Sequence, residues 1–145
     1  LGTIVHYGIS FGTTWVVFLV FWPLYMFNQE LILPKRNEAF YPFWMNWVEH
    51  GLIAPFALVN CLLEPRTGTR ATYLSALVLF ATGYVAWILH IYSHTGQWVY
   101  PFLAAAGYAN VLRVVLPLTI GTCGVTALVG VRLNDAKFGK KHKLN

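Results

Sequence analysis

Asn46, Glu49 and His50 stand close together at the head of an otherwise apolar run, in the stretch Asn46-Trp-Val-Glu-His50. On a helix that turns about 100° per residue, the three side chains occupy an arc of about 100°, so they can share one polar face. Ionisable groups inside a membrane segment are costly and mark candidate sites. A neutral imidazole at His50 could act as a general base toward a hydroxyl nucleophile in a dry pocket. His90 and His94 are one helical turn apart in His-Ile-Tyr-Ser-His, a spacing that places both on one face. His50, His90 and His94 therefore admit two further readings. One is a metal site with Glu49 or His50 as third ligand, and the other is a haem held between histidines of two helices. The histidine pair lacks the glutamate of the zinc-protease pattern, and the expectation is no cofactor and no metal.

The elements that must position these groups follow from hydropathy. The 145 residues are 57% hydrophobic and 10% charged, and their mean hydropathy of +0.56 is too high for an ordinary soluble domain. Four runs, about 4–27, 43–63, 71–92 and 110–133, are each long enough to cross a bilayer as helix. The fold class expected is all-α, a polytopic membrane helical bundle with four transmembrane helices in one domain, followed by a basic C-terminal tail at 134–145. The first run is long and has no Lys or Arg before it, so it reads as a permanent span and not a cleaved leader. Cys61 and Cys123 fall inside apolar runs, as small buried hydrophobes would.

Basic residues concentrate on one side of this layout. Arg66, Arg70, Arg132, Lys137, Lys140, Lys141 and Lys143 flank the N-terminal side, against Lys35 and Arg36 on the other, where Arg113 can add one. That bias places the tail on the cytosolic, matrix or stromal side of a membrane. A short basic tail after a span is a topology or lipid signal, and no nucleic-acid reading module accompanies it. The expected partners are membrane lipids and other membrane subunits, not nucleic acid.

Depth links the polar groups. His50 lies about 10 Å along its helix from the poorly charged surface, at 1.5 Å per residue, and His90 and His94 approach the same surface from the third run. Gly96, Trp98, Tyr100 and Pro101, in Gly-Gln-Trp-Val-Tyr-Pro-Phe-Leu, suit an interfacial turn beside the start of the second run. Asn46, Glu49, His90, His94, Trp98 and Tyr100 are thus the candidate lining of a pocket or lipid contact. Thr119 in the fourth run can reach His50's depth, while Thr13 and Thr14 lie about 10 Å deeper by helical rise.

The stretch from Phe21 to Lys35, the stretch from Phe43 to Phe56 and the stretch from Gly83 to Leu103 together resemble the androgen-induced protein and androgen-dependent TFPI-regulating protein family of multi-pass membrane hydrolases, over roughly residues 11–107. The resemblance implies a membrane-embedded threonine hydrolase of fatty acid esters of hydroxy fatty acids, whose histidine falls on His50. It also implies additional early spans, one carrying the nucleophilic threonine, to which none of the four runs corresponds. Thr119 is the substitute these residues offer. The alternative expectation is a non-catalytic structural or lipid-contacting subunit of a larger membrane complex.

Overall fold

Proline, glycine and side-chain caps divide the apolar runs into helices, and a computed structural model describes them for residues 2–37 and 39–139. Helix α1, Gly2–Phe27, contains a π turn at His6–Ser10. It stops where Asn28 turns to extended backbone and its side chain accepts from Glu30 N at 3.1 Å. The second run is helical as one turn, Phe43–Asn46, a π turn, Trp47–Gly51, and helix α2, Ile53–Leu63. The interruption has a local cause. Pro55 has no N–H to offer the Gly51 carbonyl four residues back, and Leu52 N instead reaches Trp47 O at 2.8 Å.

Helix α3, Arg70–Thr95, begins at the cap Thr69, whose hydroxyl accepts from Thr72 N at 3.2 Å. It ends at Gly96 with φ of 67°, a left-handed conformation that glycine adopts without steric cost. A short helix α4, Pro101–Ala106, and the long helix α5, Tyr108–Phe138, complete the chain. All regular structure among the described residues is helical. Three of the helices, α1, α3 and α5, are continuous, long and apolar enough to span a membrane, whereas the second run is broken at Leu52, between its π turn and α2. Large apolar side chains face outward, among them Leu79 (77% exposed), Leu118 (67%) and Phe56 (67%), as a lipid-facing surface requires.

Helix α1 is the central post and packs against α5, α2 and α3. It meets α5 antiparallel at a close crossing. A Cβ at Gly12 would sit 2.7 Å from the Cys123 carbonyl oxygen, and Thr126 Oγ1 donates to Gly12 O at 3.1 Å, the small-residue approach that substitutes for a hydrophobic driving force in lipid. Cys61 and Cys123 are buried and unpaired, in separate apolar clusters with Tyr7, Phe11, Tyr73 and Val131 and with Val16, Leu77 and Ala127 respectively.

One end of the bundle gathers the start of α1, the 64–69 turn and the end of α5 around a polar network that the sequence reading did not anticipate. Pro65 cannot donate to the Cys61 carbonyl, so the end of α2 is capped from other helices. Asn134 Nδ2 donates to Cys61 O (2.7 Å), Glu64 O (2.8 Å) and Tyr7 Oη (2.6 Å). Tyr7 donates to Cys61 O (3.1 Å) and Glu64 O (2.9 Å), and Lys137 reaches Leu62 O. Asn134 Oδ1 accepts from Arg66 N at 3.0 Å, while Arg66 and Arg70 pair with Asp135 at 2.5 and 3.3 Å. The opposite end carries the 28–42 connection and the 96–107 segment, and α4 packs against the turn Gln29–Leu31. The basic residues Lys140, Lys141 and Lys143 lie outside the described residues.

Candidate functional site

At that opposite end, the π turn Trp47–Gly51 is held against α1 by aromatic contacts and one hydrogen bond. Trp22 Nε1 donates to His50 O at 3.1 Å, and Trp22 packs on Trp47 with centroids 4.8 Å apart. The His50 imidazole stacks on Phe21 with ring centroids 3.9 Å apart and planes inclined by 14°. Its Nδ1 is buried without a well-formed hydrogen bond. Stacking fixes the ring plane, and the ring nitrogens form no strong hydrogen bond that would commit the imidazole to one protonation state.

Asn46 stands four residues before His50 and is 1% exposed, with both Oδ1 and Nδ2 lacking a partner. The two side chains line one cavity of about 300 Å³, together with Phe21, Tyr41, Tyr100, Phe102 and Thr119. Through Val16, Val17, Tyr84, Tyr100, Phe102 and Thr119, this cavity borders an apolar bay of about 340 Å³ that reaches Leu77 and Cys123. Thr119 makes no side-chain hydrogen bond among the described residues. Thr13, Thr122 and Thr126, by contrast, each donate to a carbonyl three or four residues back, at 2.8–3.3 Å. Thr13 lines the apolar bay and not the His50 cavity.

The remaining sequence candidates divide. Tyr100 lines both cavities and shares a hydrogen bond with Tyr84 at 2.5 Å between hydroxyls. Glu49 is exposed and accepts from the Tyr41 hydroxyl, so it faces the connection and not the cavity. Trp98 stacks on Tyr92 at 4.1 Å and packs with Ile88, Leu103 and Val111, away from His50. His90 and His94 are exposed, in contact with each other and with Trp87, and His90 borders a separate surface recess. The expected convergence of three histidines is therefore not formed. The rotation of α3 turns His90 and His94 outward. Among the described residues, no three His, Cys, Asp or Glu side chains gather to hold a metal ion.

Tyr41 is the site residue that sequence reading missed. It lines the cavity, and its hydroxyl is pushed up to about 12 by burial first and by its hydrogen bond to Glu49 second. Eight residues from Glu49 across a proline and a change of direction, it left no periodic signal.

Androgen-dependent TFPI-regulating protein of Homo sapiens is 33% identical over 132 residues, covering 90% of this chain and 57% of its own length. Androgen-induced gene 1 protein of Homo sapiens is 38% identical over 96 residues, covering 63% of this chain and 39% of its own length. The Mus musculus form of the first is 32% identical over 131 residues, covering 90% and 56%. The chain thus spans about half the length of these curated relatives. No solved structure matches it. The sequence model of the FAR-17a/AIG1-like protein family matches residues 3–134, nearly the whole chain and every element that builds the cavity, and the chain belongs to that family.

Proposed function

We propose that these residues form the base and acyl-binding side of a membrane-embedded lipid-ester hydrolase. The observation that carries this reading is the His50 imidazole, held by stacking on Phe21 on the wall of a cavity that borders an apolar bay. The substrate class is a fatty acid ester of a hydroxy fatty acid. Its ester sits beside His50 and Asn46, and its acyl tail runs past Tyr100 and Thr119 toward Cys123.

In the reaction, neutral His50 accepts the proton of a hydroxyl as that oxygen attacks the ester carbonyl. The tetrahedral adduct collapses when the imidazolium returns the proton to the departing alcohol, leaving an acyl ester on the nucleophile. Water, deprotonated by the same imidazole, then releases the fatty acid. Thr119 is the nucleophile candidate among these residues, because it shares the cavity and its hydroxyl is not engaged by its own helix.

The test is hydrolysis of a radiolabelled ester of palmitate with hydroxystearate by the purified protein in lipid nanodiscs. His50→Ala is expected to abolish turnover while leaving helix content and thermal unfolding unchanged. Loss in Thr119→Ala assigns the nucleophile, whereas retention there with loss in His50→Ala moves it off Thr119. A folded protein that binds the ester yet never cleaves it overturns the catalytic reading and leaves a lipid-contacting membrane subunit.

A further inference from the structure

We propose that Asn46 is the carbonyl-binding residue of this site, its side-chain amide donating from Nδ2 to the ester carbonyl oxygen of the lipid that His50 serves. The inference rests on the hydrolase reading for its chemistry but on separate observations for its ligand. A primary amide that is 1% exposed and has neither its oxygen nor its nitrogen paired is an exception to the rule that buried polar groups are satisfied. Leaving such a group unpaired costs on the order of 1–3 kcal/mol, and the amide lines the cavity beside His50 and Tyr41 without bonding either. Val20, Phe21, Ile32 and Leu33 of that wall are apolar, and the Tyr41 hydroxyl beside them donates to Glu49.

The chemistry of the wall selects the ligand. No Lys, Arg, Asp or Glu lines the cavity among the described residues. A phosphate or carboxylate would be buried there without a countercharge, which is strongly disfavoured. A neutral carbonyl needs only a neutral donor, and Asn46 Nδ2 is one. Four residues separate Asn46 from His50, so donor and base face the cavity one turn apart on the same helical strip. As the nucleophile adds, negative charge collects on the carbonyl oxygen. A donor already aimed at that atom from a fixed helix stabilises the adduct more than the neutral ester. The bond order of the ester C=O falls to one on attack and is restored on collapse, so Asn46 exchanges no proton and ends each cycle unchanged.

Two readouts separate this role from packing. The first uses ethyl palmitate carrying carbon-13 at its carbonyl, bound to the His50→Ala protein so that it survives. In isotope-edited infrared difference spectra, its carbonyl band is expected at lower wavenumber than in empty nanodiscs. That shift is lost in His50→Ala/Asn46→Leu and in His50→Ala/Asn46→Ala, neither of which leaves a donor at position 46. The second is turnover in the His50-containing protein, where Asn46→Ala and Asn46→Leu are expected to lower kcat about 100-fold or more with little change in KM. An unshifted band together with undiminished kcat in either folded variant overturns the assignment of Asn46 and leaves the hydrolase reading standing if His50→Ala is still inactive. A shifted band in a protein that hydrolyses nothing upholds the carbonyl site and overturns the hydrolase reading.

Discussion

Replacing Asn134 with Leu keeps the volume of a buried side chain and removes the hydrogen bonds that tie α1, α2 and α5 together at one end of the bundle. The two protons of the Asn134 amide serve three acceptors, and Tyr7 still donates to two of those after the change. Lost interhelical bonds in a membrane bundle average about 0.6 kcal/mol each. The Arg66 N–H is the group left without its acceptor, and an orphaned donor costs about 1–3 kcal/mol. Together these give a destabilisation of about 2–4 kcal/mol, or a Tm lower by about 5–15 °C for a chain of this size. Both cysteines are buried and unpaired, so thermal unfolding in detergent can be followed by the onset of labelling with a thiol-reactive fluorophore. Asn110→Ala is the control, because Asn110 is exposed and bonds only Ala106 O of its own chain neighbourhood at 2.9 Å. Tyr7→Phe combined with Asn134→Leu should be less destabilising than the separate effects added, by about 0.5 kcal/mol or more. A Tm for Asn134→Leu equal to that of the Asn110 control, or strict additivity with Tyr7→Phe, would refute the shared-cap account.

At the α1–α5 crossing, Gly12→Val should cost several kcal/mol or prevent folding, since its Cβ meets the Cys123 backbone oxygen at 2.7 Å; Gly121→Ala, which meets nothing within 4 Å, should be neutral to about 1 kcal/mol stabilising by the same unfolding assay. His90→Ala and His94→Ala should leave ester hydrolysis within about twofold of the parent, because neither lines the His50 cavity; a large loss in either would restore the three-histidine site. Tyr41 titrates at about 12 when folded against about 10 in an unfolded chain. Its contribution is therefore complete below pH about 10 and is lost as pH rises toward 12, and Glu49→Gln should lower the phenolate midpoint assigned by difference against Tyr41→Phe. Asp135→Asn should cost about 1 kcal/mol at low salt and less at high salt, because the partly exposed pairs with Arg66 and Arg70 are screened.

The long helices were legible because lipid imposes a simple rule on length and hydropathy, and α1, α3 and α5 extend only a few residues beyond the runs read from the sequence. The shared face of Asn46 and His50 was legible for the same kind of reason, since two residues four apart on any helical strip point together. Glu49 departs from that face because the backbone from 47 to 51 is a π turn, which changes the angle between successive side chains. Periodicity fixes which residues on a helix face together but not which way the helix is turned, and that is why His90 and His94 share a face yet look outward. The Asn134 cap was invisible because it joins residues up to 127 positions apart, and nothing local to Asn134 distinguishes it from a polar residue at a helix end.

The cap on α2 also constrains how the protein can be made. Pro65 leaves the Cys61 carbonyl without its local donor, and Asn134, 73 positions later, supplies one of the replacements. A ribosome delivers α2 to the membrane well before it delivers residue 134. Until then, the trailing carbonyls of α2 depend on Tyr7, water or lipid headgroups, and hydrocarbon offers them nothing. The end of α2 is thereby tethered to the aqueous boundary during biogenesis, and arrival of the last helix is the event that locks the bundle. Ribosome-stalled intermediates ending before and after residue 134 should accordingly differ in the protection of Cys61 from thiol reagents, with protection acquired only in the longer species.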